Sequence, residues 1–287
     1  MRFPVLKIHC WGGLGSQLFA LSYYVIIKNT YPSRFVQLVL HTGGVTERKS
    51  EIDFLRNKLD MFSVYDYQHN NIKENTNNIS VLGVRHRCKI LIKSFLNTIR
   101  LVITNEHDVK KIRPWTSNVR CSYSNIELSR KIIVELGNLL QLDGKITNSN
   151  FIGIHLRIGD LVTFKPEGIV NSGILSKLIS DLNQTNETAT KVIVYSDTEL
   201  EPNFLNLTTG PDIELRNIDT LHTIVELTTA SSFIGTNSKV SLWIAFFRYG
   251  LKIPGKVLLP TSNYDLFHKV IEPFQPSENF KVNSYTA

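Results

Sequence analysis

Residues 5 to 40 run strand, glycine turn, helix, strand, and that order leaves few folds open. Val5-Leu6-Lys7-Ile8-His9-Cys10 is a strand-like run, and Trp11-Gly12-Gly13-Leu14-Gly15 is a turn. Ser16 to Lys28 is mostly apolar and reads as a buried helix; Phe35 to Leu40 reads as a second strand. A strand–helix–strand rhythm of this kind predicts a parallel sheet. The rhythm restarts after a polar, turn-rich run from Leu142 to Asn150. There Phe151-Ile152-Gly153-Ile154-His155 is a strand, Ser172 to Leu182 a helix, and Lys191-Val192-Ile193-Val194-Tyr195 a strand. Thr220 to Ala230 is a helix, Ser232-Phe233-Ile234 a short strand, and Lys239 to Tyr249 a helix. The prediction is an α/β chain of two facing Rossmann-like domains, 1–147 and 148–287.

Composition narrows the partners. A net charge of +7 suits phosphates, whether of nucleic acid, an anionic membrane or a nucleotide-linked substrate. Zinc-finger spacing and an aromatic RNA-binding signature are both missing, so nucleic acid is the weakest of the three. The cysteines, Cys10, Cys88 and Cys121, are far apart and without CxxC spacing, which suggests neither a disulfide framework nor a zinc site. No run approaches the roughly 18 apolar residues of a spanning helix, and the N-terminal residues do not read as a signal peptide. The expectation is a cytoplasmic protein. Residues 85 to 103 read as a helix with a stripe of Cys88, Leu91, Ile92, Phe95, Ile99 and Val102 beside a face of Arg85, Lys89, Lys93 and Arg100. Such a helix is either a core helix with a solvated rim or a peripheral contact with an anionic membrane face. Asn70 to Ser80 reads as a surface loop.

Four segments carry candidate chemistry. The first is Gly12-Gly13-Leu14-Gly15-Ser16-Gln17, where glycines between strand and helix let a ligand approach the backbone. A dinucleotide fingerprint fails twice. Leu18 stands at its third glycine position, and the second strand ends at Leu40-His41 with no acidic residue for a ribose. The other reading of this cluster is a tight turn that packs the helix on the sheet. The second segment is His155-Leu156-Arg157-Ile158-Gly159-Asp160, just past a strand, where Arg157 can grip phosphate oxygens or merely pair with Asp160. The third is Tyr195-Ser196-Asp197 at a strand end, and the fourth is Gly235-Thr236-Asn237-Ser238, entering a helix. The fourth reads as an anion site or as a plain N-cap.

Together these segments resemble a family. WGGLGSQLFALSYY at 11–24 resembles the GGLGNQMFQYA-type motif of the family 11 glycosyltransferases, the α-1,2-fucosyltransferases. HLRIGD at 155–160 resembles their HxRRGD motif, VYSD at 194–197 their FSDD-type strand end, and TNSKVSLW at 236–243 their NSSFSWW segment. The order is the family's. Ile158 replaces the second Arg, as in the HLRI of protein O-fucosyltransferases; Ser16 replaces an Asn, and only Trp243 remains of a tryptophan pair.

The resemblance implies a GT-B-like architecture and an inverting, metal-free transfer of fucose from GDP-fucose to a glycan acceptor. Surface polysaccharide precursors and lipid-linked oligosaccharides are the acceptor classes in view. By match, Arg157 faces the donor's β-phosphate, and Arg157 with Asp160 is the candidate catalytic pair. The implied donor-binding set is Gly13, Gly15, His155, Arg157, Ser196, Asp197, Asn237, Ser238 and Ser241. The 1–147 domain would face the acceptor and the 148–287 domain the GDP-sugar. Asp160, Asp197 and, less favourably, Glu226 are the carboxylates open to a role as base. A different GDP-deoxysugar, another linkage, or a non-catalytic nucleotide- or glycan-binding relative are the competing readings.

Overall fold

The computed structural model describes residues 5–42, 50–66, 112, 116–121, 123, 126–142, 149–159, 161–164, 166–185, 191–200, 212–271, 274 and 279–286. The predicted 85–103 helix, the 70–80 loop and Asp160 lie outside these residues. The chain divides into two compact units, Met1–Ile126 and Glu127–Ala287.

In the first unit, β1 (Leu6–Trp11), β2 (Val36–Thr42), β3 (Met61–Asp66) and β4 (Asn118–Arg120) form a parallel sheet in the order β3-β2-β1-β4. Leu6, Ile8 and Cys10 point to one face and are buried, while Lys7, His9 and Trp11 alternate onto the other. The helix α1 (Leu14–Thr30) joins β1 to β2 and is buried along most of its length, from Leu14 to Ile27. It ends where Pro32 approaches, since the residue before a proline is turned away from helical geometry. Lys28 Nζ secures the turn by donating to the carbonyls of Pro32 and Arg34 and to Asp60.

The second unit carries α2 (Arg130–Leu139), β5 (Ser149–Leu156), the short α3 (Leu161–Phe164), α4 (Ser172–Thr185), β6 (Lys191–Ser196) and β7 (Asp212–Arg216). After these come α5 (Thr220–Thr228), β8 (Ala230–Gly235), α6 (Lys239–Gly250), β9 (Gly255–Pro260), α7 (Thr261–Val270) and β10 (Phe280–Tyr285). Its strands are all parallel, in the order β10-β9-β8-β5-β6-β7. Counted within the unit this is the 3-2-1-4-5-6 order of a Rossmann fold, and the first unit repeats its 3-2-1-4 part. The fold is thus α/β with two Rossmann-like units, the composition expected of a GT-B-like architecture.

Packing explains the central strands. Ile152, Ile154 and Leu156 of β5 join Leu175, Ile179 and Leu182 of α4 in one apolar cluster. On the other face Gly153 leaves room for α5: a Cβ there would lie 2.4 Å from Leu227 Cδ2 and 3.0 Å from Ala230 Cβ. The helix α6 is apolar on every side (Val240, Leu242, Trp243, Ile244, Phe246, Phe247) and is accordingly buried. Its one buried charge, Arg248, donates to the carbonyls of Leu227 and Thr228 at the end of α5, and to those of Ala230 and Pro254.

The division after Ile126 differs from the boundary expected at 147/148. The reason is α2. Leu128 N–H donates to Val270 O at 2.7 Å, Arg130 Nε to Gly250 O at 2.9 Å, and Ile133 packs where a Cβ on Gly250 would lie, 2.4 Å from its Cγ2. These contacts attach α2 to the second unit, so the polar run after Leu142 falls inside that unit.

Candidate functional site

In the second unit, β5 and β8 are neighbours whose onward connections leave in opposite directions, β5 toward β6 and β8 toward β9. Ligands of open α/β sheets bind beyond the carboxyl ends of the strands at such a switch point. His155-Leu156-Arg157 and Gly235-Thr236-Asn237-Ser238 meet there. Thr236 Oγ1 donates to His155 O at 2.9 Å and accepts from Arg157 N–H at 3.1 Å, so one hydroxyl pins both strand ends. Asn263 Nδ2 donates to the carbonyls of Thr236 and Ser238, both at 3.0 Å, and Tyr285 O–H donates to Gly235 O at 2.7 Å. Gly235 admits no side chain: a Cβ would stand 2.8 Å from Ser241 Cβ and 2.9 Å from Leu259 Cδ2.

The polar residues of this turn divide by what they touch. Ser238 caps α6, its Oγ accepting from Val240 N–H at 3.1 Å, which is the N-cap reading of the segment. Ser241 is fully buried; its Oγ accepts from Thr236 N–H at 3.0 Å and lies 2.7 Å from His155 Nδ1. Both hydroxyl oxygens thus accept from backbone N–H groups of the turn and the first residues of α6. Asn237 is exposed, with Oδ1 accepting from Ser262 Oγ at 3.4 Å. His155 is 6% exposed, and burial pushes its pKa down to about 4, with the charge of Asp197 opposing and that of Arg157 adding to the shift. It is therefore neutral near pH 7.

The loop after β5 is shaped by Asp197. Its Oδ1 accepts from Ile158 N–H at 2.8 Å and Gly159 N–H at 3.0 Å, and a Cβ on Gly159 would be 2.8 Å from Oδ2. Asp197 thus holds the backbone that carries Arg157. Ser196 is buried, with Oγ accepting from Thr198 N–H at 3.2 Å. Ile158 leans on the apolar cluster of β5 and α4, which accounts for a hydrocarbon where the motif has a second Arg. Glu226 accepts from Tyr195 O–H and, at 2.5 Å, from Arg216 Nη1, which ties it into an ion-pair network with β7.

Gly13 and Gly15 lie in the first unit, in the turn from β1 to α1. Gly12 has φ +115°, and Gly13 is the N-cap whose carbonyl accepts from Ser16 N–H and Gln17 N–H. Gly15 is buried in the first helical turn. The anion position at this helix N-terminus is taken by the chain itself: Leu14 N–H donates to Glu51 Oε2 at 2.5 Å, and Gln17 braces both sides by donating to Gly12 O and accepting from Glu51 N–H. These contacts are those of the tight turn that packs the helix on the sheet. Beside it, His9 Nε2–H donates to Asn118 Oδ1 at 3.0 Å, and His41 Nε2–H donates to His9 Nδ1 at 2.9 Å. Trp11 stacks on His41 at 4.1 Å, with Arg120 5.3 Å from the indole.

The sequence motifs thus located His155, Arg157, Ser196, Asp197, Asn237, Ser238 and Ser241 at one edge. They missed Glu51, Asn263 and Tyr285, whose contacts span tens of residues and leave no local pattern.

No family model and no curated protein matches the sequence. Solved structures do. The chain is similar to the dodecameric iron-containing glycosyltransferase TibC from enterotoxigenic E. coli H10407, at 13% identity and a TM-score of 0.45, covering 100% of this chain but only 64% of TibC. It is similar to E. coli heptosyltransferase WaaC with ADP at 10% identity and a TM-score of 0.47, covering 99% and 93% of the two chains. A glycosyl transferase family 9 structure from Veillonella parvula DSM 2008 gives 11% identity and a TM-score of 0.45, covering 99% and 87%. At such values the likeness is one of fold and says nothing of this chain's chemistry. Among the described residues no group of three or more His, Cys, Asp or Glu is placed to hold a metal ion, and no helix is long and apolar enough to cross a membrane.

Proposed function

We propose that the chain is an inverting glycosyltransferase that moves fucose from GDP-fucose to a glycan hydroxyl without a metal, in α-1,2 linkage, on a surface polysaccharide or lipid-linked oligosaccharide. The observation that carries this reading is the convergence of Arg157 and the first turn of α6 on the switch point of a complete Rossmann-type sheet. The fucose C1–O bond breaks with its electron pair going to the β-phosphate oxygen of GDP. Arg157 and the N-terminus of α6 meet that growing charge, which is larger in the transition state than in bound donor. The acceptor oxygen bonds to C1 from the opposite face, and its proton passes to a carboxylate. Asp160, the residue after Gly159 in the sequence, is the candidate for that carboxylate. The second unit takes the donor and the first the acceptor; Glu51 at the α1 N-terminus supports this division, since it occupies the place of a phosphate there.

Replacing Arg157 by Ala tests the role. Turnover of GDP-fucose should fall by about 100-fold or more while the fold survives. A folded Arg157→Ala protein with near wild-type rate would contradict it. One observation favours a second reading, a relative that binds nucleotide without turnover: Ile158 packs into the core and leaves the loop one cation short of the family motif. Binding of GDP with no release of GDP from any donor, acceptor present, would select that reading.

A further inference from the structure

The ring of His155 has one nitrogen anchored and one unassigned. Nδ1 lies 2.7 Å from Ser241 Oγ, and Nε2, across the ring, has no hydrogen-bond partner among the described residues. The anchor decides which nitrogen carries the proton. Thr236 N–H donates to Ser241 Oγ at 3.0 Å, which occupies one lone pair of that oxygen. The hydroxyl is fully buried, and a buried O–H without an acceptor costs about 1–3 kcal/mol. The acceptor in contact with it is His155 Nδ1. The O–H therefore points at Nδ1, and the ring proton resides on Nε2.

The surroundings indicate what that N–H is for. His155 is more than nine-tenths buried, and the charges of both Arg157 and Asp197 reach it. Its own carbonyl is bonded to Thr236 Oγ1, which also holds Arg157 N–H. The ring is thus built into the same strand ends as Arg157.

We propose that Thr236 and Ser241 are positioning residues that lock His155 as a neutral Nε2–H donor, and that this donor meets a phosphoryl oxygen of the nucleotide diphosphate at the switch point. The inference rests on the donor-binding reading of the second unit and adds to it an uncharged contact whose direction is fixed by a relay from the backbone. Arg157 supplies charge; His155 supplies orientation, because a neutral donor at a set angle discriminates where the oxygens lie.

Nitrogen-15 NMR of the imidazoles in the full chain tests this, with the His155 signals identified by their loss in His155→Gln. The free protein should show a pyridine-type Nδ1 and a pyrrole-type Nε2. Adding GDP, and separately pyrophosphate, should move Nε2 and leave Nδ1 nearly still. Ser241→Ala should release the tautomer to a mixture and weaken GDP binding roughly tenfold. A pyrrole-type Nδ1 in the free protein overturns the proposal even if Ser241→Ala does not fold. GDP bound by calorimetry with Nε2 unmoved overturns the phosphate contact while the donor reading stands. Failure of both GDP and pyrophosphate to bind overturns the two together.

Discussion

Thr236 shows how much a single side chain decides here. Its Oγ1 joins the ends of β5 and β8, its N–H feeds Ser241, and its carbonyl is held by Asn263. Thr236→Val keeps the shape and removes the hydroxyl, leaving Arg157 N–H without that acceptor. GDP-fucose turnover should fall about tenfold with stability lowered by about 1–2 kcal/mol, measured by steady-state kinetics and urea unfolding. The buried histidine gives a pH dependence of definite sign. His155 titrates at about 4 in the folded chain against 6.5 in the unfolded one. The unfolded state therefore takes up its proton first as pH falls. The stability from keeping this ring neutral is whole above pH 6.5 and is lost as pH falls from 6.5 through 4, on the order of 3 kcal/mol. His41, also lowered to about 4 by burial and by His9, acts in the same direction. Unfolding midpoints across this range should drop more steeply for the wild type than for His155→Gln. Residue-scale roles were partly legible in the sequence. Arg157 and Asp197 stood out as charged groups at strand ends, whereas the work of Asp197 on the backbone of Ile158 and Gly159 depends on contact between residues 38 and 39 positions apart.

The helices and strands follow from pattern where burial is one-sided or complete. The strands predicted at 151–155 and 191–195 and the helices at 172–182 and 239–249 are found at Ser149–Leu156, Lys191–Ser196, Ser172–Thr185 and Lys239–Gly250. The strand β7, DIELR, gave no signal: it lies at the sheet edge with half-exposed side chains and a charge network through Glu214 and Arg216. The helix α6 holds the second unit together through Arg248, whose guanidinium closes the end of α5. Arg248→Met fills similar volume but leaves four backbone carbonyls without this donor. Unfolding should become easier by about 3 kcal/mol, read as a lower urea midpoint at unchanged slope. Gly235→Ala should cost about 1–3 kcal/mol by overpacking against Ser241 and Leu259, and it should also weaken GDP binding, since Ser241 is the neighbour that must shift.

At the scale of the molecule, the chain holds two parallel sheets of related strand order, one in each unit. The second carries a complete switch point; the first carries a glycine turn already occupied by Glu51. The repeat of strand, turn and helix made the two units readable from sequence, but not the seam between them. Polarity around 142–150 reads as a domain boundary, while the packing of α2 on α6 through Ile133 and Gly250 puts the division after Ile126. Only contacts across more than a hundred residues reveal that. Proposed work on a lipid-linked acceptor adds an expectation for the whole chain: co-sedimentation with anionic vesicles that weakens as salt is raised, as the net charge of +7 would produce.

The most direct measurement is the donor specificity of this chain. GDP-fucose, GDP-mannose, UDP-galactose and ADP-heptose are each incubated with the wild type and with Arg157→Ala, without added metal, and nucleotide release is followed alongside GDP calorimetry. Release of GDP from GDP-fucose alone, lost in Arg157→Ala, is the predicted result. A chain that does not bind GDP, or that releases nucleotide only from another donor, would contradict the GDP-fucose assignment.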